Sequence, residues 1–360
     1  MKITIHSEQA ASKWTPRHRF THRRSSTAVV LGTGLGALGL LVSACGGSTP
    51  SSATSGNTTT TSNSIPTTIN MAYTAPVADQ LLPLIAKQAG LFAKYGVNVN
   101  ITYLSATAAL DGLVGGKIQM SVFDSPEPEV AVAAGQQIKW IAEWEHHANL
   151  YLLGGPGITS VKDLAGKAIA ETVAGSTTAV LTQVALNQAG VLSSAHLEPV
   201  GNVGATLSAF LAGSVQATIA GPPNQTVLLS KVPGSSILVD YTKSFPWVGG
   251  GLAASTAWTS KNVAATVDVV KALQDAVVYF KSHEAESVAV IEKATHADSA
   301  NATAGYQAML SIIDATSSIV PSVTVETDVL KAMAPVSPAT AKLTGASVID
   351  TTYAQAASKG

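Results

Sequence analysis

The chain has 360 residues, of which 46% are hydrophobic and 12% are charged. This length allows one large domain or two modest ones, with enough residues to build a substantial core in each. Ala, Gly, Ser and Thr dominate the composition, and no cluster of basic residues is present in the globular part. Nucleic acid is therefore not expected as a partner.

The first 44 residues predict an export signal rather than part of a fold. A positively charged region with four arginines, at 17–24, precedes an apolar stretch of small residues and leucines at 27–41. The next residues, Val42-Ser43-Ala44-Cys45, resemble the lipobox of a bacterial lipoprotein, where cleavage leaves the cysteine as a lipid-bearing first residue. The alternative is a membrane-spanning anchor, because the stretch 27–44 is about 18 residues long.

Cleavage before Cys45 has two consequences for the chemistry of the exported protein. Cys45 is the only cysteine, so its acylation leaves no thiol for a disulfide, a thiolate nucleophile or a metal site. The chain after it has fifteen lysines, no arginine and twenty-one acidic residues, a net charge of about −6. A bound anion would need backbone amides, hydroxyls or a lysine instead of arginine. Residues 45–68 are mostly Ser, Thr, Gly and Asn and predict a flexible tether.

Strands and helices alternate in residues 69–154, the predicted first part of lobe 1. Strands are predicted at 69–73, 97–103, 139–143 and 150–154. Helices are predicted after Gln80, ending at Gly90, and after Ser105. This alternation is typical of a mostly parallel sheet with helices on both faces. Gly154-Gly155-Pro156-Gly157 is predicted to cross into a second lobe.

The predicted second lobe, residues 155–247, is organised around a strand, a turn and a helix. Lys167–Val173 predicts the strand, Gly175 permits a sharp turn, and Ser176 or Thr177 can cap a helix that ends at Gly190. Such a turn directs free backbone N–H groups and hydroxyls towards one point, which suits an anionic or strongly polar group. The alternative interpretation is an ordinary capped helix.

An internal repeat links the two predicted lobes. Residues 113–126 align without a gap with residues 210–223, and one Gly, one Gln and one Pro of the two segments are identical. The chain is then predicted to return through 247–255, so that residues 248–360 rejoin lobe 1. Helices predicted at 263–282, 284–295, 300–317 and 327–333 would pack on that lobe.

The order and spacing of these segments resemble the extracytoplasmic solute-binding proteins of ABC importers, of the sulfonate, nitrate and pyrimidine-precursor type. The matching segments include Pro83–Ala86, Gly90–Phe92, Gly116–Ile118, Ile158–Lys167, Gly175–Thr177 and Ala209–Val215. The resemblance implies an α/β fold of the two-lobed periplasmic-binding-protein type II, with two crossing strands as the hinge. It also implies a ligand in the cleft, a membrane permease with its ATPase as partners, and a monomer. The family commonly has Asp where this chain has Gln119 and Gln216.

In such α/β sheets, ligands bind at the carboxyl ends of parallel strands. The candidate ligand contacts are Tyr73, Thr74, Asp79, Ser105, Thr107, Phe123, Asp124, Ser125, Gly175, Ser176, Thr177, Asn224 and Trp247. Structural alternatives remain, because Tyr73 and Phe123 suit a core, Asp79 suits a helix cap, and Asp124 suits a turn. His146 and His147 are adjacent and face opposite ways on a strand, so no metal site is predicted. No cofactor is predicted either.

The leading functional hypothesis is a lipid-anchored, extracytoplasmic receptor that captures a small polar or anionic solute for import. The alternatives are a sensor module for a membrane kinase and, on the same fold, an enzyme. The enzyme alternative is disfavoured because the chain has neither a cysteine cluster nor Ser-His-Asp spacing. The absence of arginine disfavours a dicarboxylate, whereas a sulfonate, nitrate or an aromatic heterocycle stacked on Tyr, Phe or Trp all remain open.

Overall fold

The computed structural model describes residues 68–244, 246–313 and 318–359. The predicted signal peptide, the predicted lipid site at Cys45 and nearly all of the predicted tether lie outside these residues. The described residues belong to one compact unit. In the described part of the chain, no helix is both long and apolar enough to cross a membrane.

The described strands form two five-stranded sheets, one in each lobe. The strands are β1 (Thr68–Tyr73), β2 (Asn98–Tyr103), β3 (Met120–Phe123), β4 (Ile138–Glu145), β5 (Tyr151–Gly154), β6 (Ala168–Glu171), β7 (His196–Pro199), β8 (Ala217–Ala220), β9 (Ser236–Asp240) and β10 (Gly250–Ser255). Sheet 1 has the order β2-β1-β3-β10-β4, and sheet 2 has the order β7-β6-β8-β5-β9. In each sheet the first three strands are parallel, and the fourth runs antiparallel to both neighbours. The prediction of two mostly parallel sheets is confirmed.

Helices cover both faces of the sheets. They are α1 (Leu82–Gln88), α2 (Leu91–Lys94), α3 (Ala106–Val114), α4 (Glu127–Ala133), α5 (Thr177–Gln188), α6 (Val203–Leu211), α7 (Asn224–Lys231), α8 (Tyr241–Ser244), α9 (Thr256–Thr259), α10 (Val263–Ser282), α11 (Glu284–Thr295), α12 (Ser299–Ile312), α13 (Val323–Met333), α14 (Gly345–Val348) and α15 (Thr352–Ala357). Short 3₁₀ helices lie at Ala78–Gln80, Val161–Leu164 and Pro338–Lys342.

Two separate apolar cores lie on the two faces of sheet 1. Met71 belongs to the core with α1 and α10, whereas its neighbour Ala72 belongs to the core with α3. Successive side chains of a strand point to opposite faces, so one strand contributes to both cores. Sheet 2 repeats this arrangement, because Ile169 and Ala170 of β6 belong to different cores.

The internal repeat corresponds to a repeated structural unit, α3–β3–α4 in lobe 1 and α6–β8–α7 in lobe 2. Gln119 and Gln216 make equivalent hydrogen bonds. The side-chain oxygen of each accepts from a backbone N–H of the neighbouring strand, at 2.9 and 3.1 Å respectively. Ser121 donates to the carbonyl of Ala72, and its counterpart Thr218 donates to that of Ala170. The glutamines therefore act in the scaffold.

The chain passes between the lobes at 146–150 and returns at 241–249. Strand β5, Tyr151–Gly154, was predicted to belong to lobe 1. It pairs with β8 and β9 inside sheet 2. The crossing predicted at Gly154–Gly157 is therefore wrong. A continuous apolar strand looks the same in either sheet, so its membership could not be inferred from its own residues.

The carboxyl-terminal helices contact both lobes, not lobe 1 alone. Helices α10 and α11 have the predicted bounds, whereas α12 ends at Ile312 and α13 begins at Val323, four residues earlier than predicted. Val329 and Met333 of α13 belong to a lobe 2 core, while Leu330 between them belongs to a lobe 1 core. The prediction that these helices pack on lobe 1 therefore misses the lobe 2 contacts of α13.

Candidate functional site

A cavity of about 740 Å³, part of it open to solvent, lies between the two sheets. Its lining residues come from both lobes: Thr74, Ala75, Val77, Gln80, Tyr103, Ser105, Ala106, Thr107, Asp124, Glu127, Leu150, Thr172, Val173, Ser176, Thr177, Thr178, Gly201, Asn202, Val203, Ile219, Ala220 and Gly221. Only about 80 Å³ of this space is free to the centre of a water-sized molecule, which is far less than the roughly 300–1,000 Å³ of typical small-molecule sites.

The cavity lies at the carboxyl ends of the parallel strands. Thr74 directly follows β1, Asp124 follows β3, Thr172 follows β6 and Gly221 follows β8. The location agrees with the rule that ligands of open α/β sheets bind where the strand order reverses. Both repeated units therefore direct their loops to the same space.

In lobe 2, three hydroxyl groups and the start of α5 line the cavity. Gly175 adopts a φ of 81°, which allows the turn before the helix. The Ser176 hydroxyl caps α5 by accepting from the Ala179 N–H at 3.4 Å. The hydroxyls of Thr172, Ser176 and Thr178 lie 2.9–3.2 Å from one another. The predicted turn and cap are present, with their polar groups facing the cleft.

A carboxylate from lobe 1 already occupies part of this helix start. The Thr177 N–H donates to Glu127 Oε1 at 3.3 Å, and the Thr177 hydroxyl lies 3.1 Å from Oε2. The same hydroxyl also donates to the Ser125 carbonyl at 2.8 Å. Because Glu127 is the first residue of α4, it lies at the start of two helices, where a negative charge is favourable. Thr177 thus links the two lobes.

On the lobe 1 side, Gln80 connects the end of β1 to Asp124. Its side-chain oxygen accepts from the N–H groups of Thr74 and Ala75 at 2.7 and 2.8 Å. Its amide nitrogen then donates to Asp124 Oδ1 at 3.0 Å. Asp124 is only 8% exposed. Among the described residues, no other side-chain hydrogen bond to Asp124 is present. The second carboxyl oxygen of Asp124 is therefore available to a ligand.

Burial raises the pKa values of the cavity carboxyl groups. Removal from water raises the pKa of Glu127 to about 7, although the hydrogen bonds from Thr177 act in the opposite direction and lower it. The pKa of Asp124 lies well above its usual value through burial and then through the charges of Asp79 and Glu127. Burial followed by the charges of Asp79 and Asp124 also raises the pKa of Glu145 behind the cavity. A nearby cation would lower these pKa values.

The structure places six of the thirteen predicted contacts in the cavity lining. These are Thr74, Ser105, Thr107, Asp124, Ser176 and Thr177. The remaining seven are close to the cleft in sequence but do not line the cavity: Tyr73, Asp79, Phe123, Ser125, Gly175, Asn224 and Trp247.

Several of these seven have structural roles. Phe123 and Trp247 are fully buried in apolar cores. The Trp247 indole N–H donates to the Ser125 carbonyl at 3.1 Å, so Trp247 joins the return crossing to lobe 1. Asp79 is 1% exposed, and its carbonyl accepts from the Trp144 indole. The alternative that Asp79 caps a helix is not observed either, because no side-chain cap is present there.

Tyr103 and Glu127 line the cavity, although neither was among the predicted contacts. Tyr73 lies beside the ring of Tyr103, 5.5 Å between centroids, but Tyr103 lines the cavity and is 44% exposed. Both end parallel strands, so strand position alone does not separate them. Glu127 was missed because α4 was not predicted after Ser-Pro. Its position directly after the repeat, 97 residues before the candidate Asn224, was an available signal. In the described ranges, no group of three or more His, Cys, Asp or Glu could hold a metal ion.

Two α/β lobes with a polar cavity at the ends of their strands define the fold class of the periplasmic binding proteins. A structure from Bordetella bronchiseptica RB50 aligns with a TM-score of 0.70 and 21% identity, covering 81% of this chain and 97% of that chain. The aliphatic sulphonate-binding protein SsuA of Escherichia coli aligns at 0.64 and 20% identity, covering 79% and 92%. The nitrate-binding protein NrtA of Synechocystis PCC 6803 aligns at 0.66 and 15% identity, covering 82% and 89%.

At these identities the solved structures establish the fold alone. No curated protein matches the sequence. The family model described as NMT1/THI5 like matches residues 80–287, which is more than half of the chain. The chain therefore belongs to the NMT1/THI5-like family.

Proposed function

We propose that this protein is the solute-binding component of an ABC importer and captures a small polar solute between its lobes. The observation that carries the proposal is the cavity whose polar groups come from the strand ends of both lobes. Thr74, Ser105, Thr107 and Asp124 are the proposed contacts from lobe 1, with Ser176 and Thr177 from lobe 2. The sulphonate- and nitrate-binding proteins of similar fold support this class of function.

We also propose that the protein acts outside the cytoplasm, attached to the membrane by a lipid on Cys45. The arginine-containing region, the apolar stretch and the tetrapeptide ending in Cys45 support this location. The Ser- and Thr-rich segment that follows would give the receptor reach towards a permease. Solute delivery rather than catalysis is proposed, because the cavity lining contains no Ser-His-Asp arrangement and no thiol.

A ligand screen sorted by charge tests the proposed function. The protein is melted in the presence of separate sets of small cations, neutral solutes and anions, and hits are checked by calorimetry. A binding protein is expected to bind at least one solute and gain melting temperature, because a ligand that binds only the folded state stabilises it. Failure of every class to bind would contradict the proposed function.

Labelling with a radioactive fatty acid tests the anchor. Cells that produce the natural chain are expected to incorporate label into it, whereas Cys45→Ser should abolish incorporation and block lipid-dependent processing. Equal labelling of the two chains would contradict lipidation at Cys45.

A further inference from the structure

The charged side chains that line the cavity all have the same sign. Asp124 and Glu127 are the charged members of the lining, which contains no lysine, arginine or histidine. Behind them lie two further buried carboxyl groups, Asp79 and Glu145, and the charge of Asp79 is one cause of the raised pKa of Asp124. A small anion entering this cavity would meet carboxylates and no side-chain cation.

The helix starts that could attract an anion are already partly engaged by the chain's own side chains. Glu127 accepts from the N–H of Thr177 at the start of α5. At the start of α3, the Ser105 hydroxyl accepts from the Ala108 N–H at 3.3 Å. At the start of α6, Asn202 caps the helix in the same way at 3.0 Å. The chain's own side chains therefore use donors that an anionic ligand would require.

Asp124 supplies the second, independent indication of a ligand. Its side chain is more than nine-tenths buried and lines the cavity. One oxygen accepts from Gln80, while the other has no hydrogen-bond donor among the described residues. This oxygen faces the cavity without a protein donor, so it is open to a ligand group that donates a hydrogen bond.

Tyr103 adds an aromatic surface to the same cavity. Its ring is partly exposed and lies 5.5 Å from the ring of Tyr73. The face of a tyrosine ring attracts a cation and also stacks on a flat group. A flat organic cation would use both this ring and the two carboxylates.

We propose that the solute is an organic cation, an ammonium or amidinium compound, whose charged group binds between Asp124 and Glu127. This inference rests on the proposed function, because it assigns a charge to the solute of the same cleft. Charge-assisted hydrogen bonds orient the cationic group, and the hydroxyls of Thr172, Ser176 and Thr178 accept from its remaining N–H donors. When they are ionised, the same carboxylates disfavour nitrate and sulfonates in this cavity.

Three molecules of similar shape and different charge test the proposal: benzamidine, benzamide and benzoate. Their affinities for the full-length chain in a non-ionic detergent are measured by NMR titration, with methanesulfonate as a further anion. Benzamidine is expected to bind at least tenfold more tightly than benzoate. Asp124→Asn and Glu127→Gln should each weaken benzamidine binding by about ten- to a hundredfold. Glu198→Gln, an exposed residue of β7 outside the cavity, should leave it unchanged.

The outcomes separate this inference from the proposed function. If benzoate or methanesulfonate binds as tightly as benzamidine, or if both variants leave benzamidine binding within twofold, the cation proposal is overturned while a binding function stands. If neither these probes nor any member of the charge-sorted screen binds, the proposed function fails and the inference fails with it. Melting of each variant without ligand shows that it is folded.

Discussion

Glu127 should make ligand binding at this site depend on pH. Removal from water raises its pKa to about 7, and it lies near the carboxyl groups of Asp124 and Glu129. A bound cation favours the ionised carboxylate, so benzamidine affinity should rise as the pH increases from 6 to 8. The expected change is up to about tenfold, because the ionised fraction of a group with this pKa changes by that factor.

NMR titration of benzamidine at pH 6, 7 and 8 measures this dependence. Benzamidine itself stays positively charged throughout, so a change reflects the protein. Glu127→Gln should flatten the profile, although Asp124 retains part of it. Tighter binding at pH 6 than at pH 8 would argue against a carboxylate as the partner.

Glu143 makes a separate prediction, about stability rather than binding. It is fully buried in β4, and one carboxyl oxygen accepts from the Ser322 N–H at 3.0 Å. Burial and then the charge of Glu129 raise its pKa to about 8; Glu326 and His146 also lie close. A raised pKa means that the folded state binds the proton more tightly, so this contribution to stability is lost as the pH rises from about 4.5 to 8.

Replacing Glu143 by Gln should therefore raise the free energy of unfolding more at pH 8 than at pH 5. The difference should be roughly 2–4 kcal/mol in the free energy of unfolding. Urea unfolding at the two pH values measures it, with Glu198→Gln as the exposed control. If the free energies of unfolding of the natural chain and the variant change in parallel with pH, Glu143 does not destabilise the fold at high pH.

At the scale of elements, two capping residues can be compared to decide whether the start of α5 is only a helix cap or also a ligand contact. Ser176 caps α5 inside the cavity lining, whereas Asp298 caps α12 and does not line the cavity. Replacing either by Ala should cost about 1 kcal/mol of folding stability. Only Ser176→Ala should also weaken the binding of the solute found by the screen, because its hydroxyl belongs to the lining.

Thermal melting and calorimetry on the two alanine variants measure both quantities. Equal losses of stability with an affinity change confined to Ser176→Ala would support the proposed contact. If Ser176→Ala lowers the melting temperature and leaves affinity within twofold, the hydroxyl is a cap alone.

Local patterns predicted many elements but not their long-range partners. Helices α10 and α11 had the predicted bounds because their apolar residues recur at helical spacing. The Ser176 cap was predicted because its signal lies within three residues. Glu127 and Thr177 are 50 residues apart in the chain, and nothing in either segment encodes that contact. The same limit explains why β5 was assigned to the wrong lobe.

At the scale of the whole molecule, two side chains connect the lobes through one carbonyl. The Thr177 hydroxyl and the Trp247 indole both donate to the Ser125 carbonyl, at 2.8 and 3.1 Å. Thr177→Val removes the first contact while keeping the shape, and the carbonyl still accepts from Trp247. We expect this variant to favour a wider separation of the lobes when no solute is bound.

The distance between spin labels on the two lobes tests most directly whether solute is held between them. Val114 and Leu211 are exposed, end α3 and α6, and are related by the repeat, so cysteines there, with Cys45→Ser, provide one label on each lobe. Saturating solute should shorten and narrow the distance distribution, most clearly when Thr177→Val is also present. Identical distributions with and without a solute of calorimetrically established affinity, in both backgrounds, would contradict binding between the lobes.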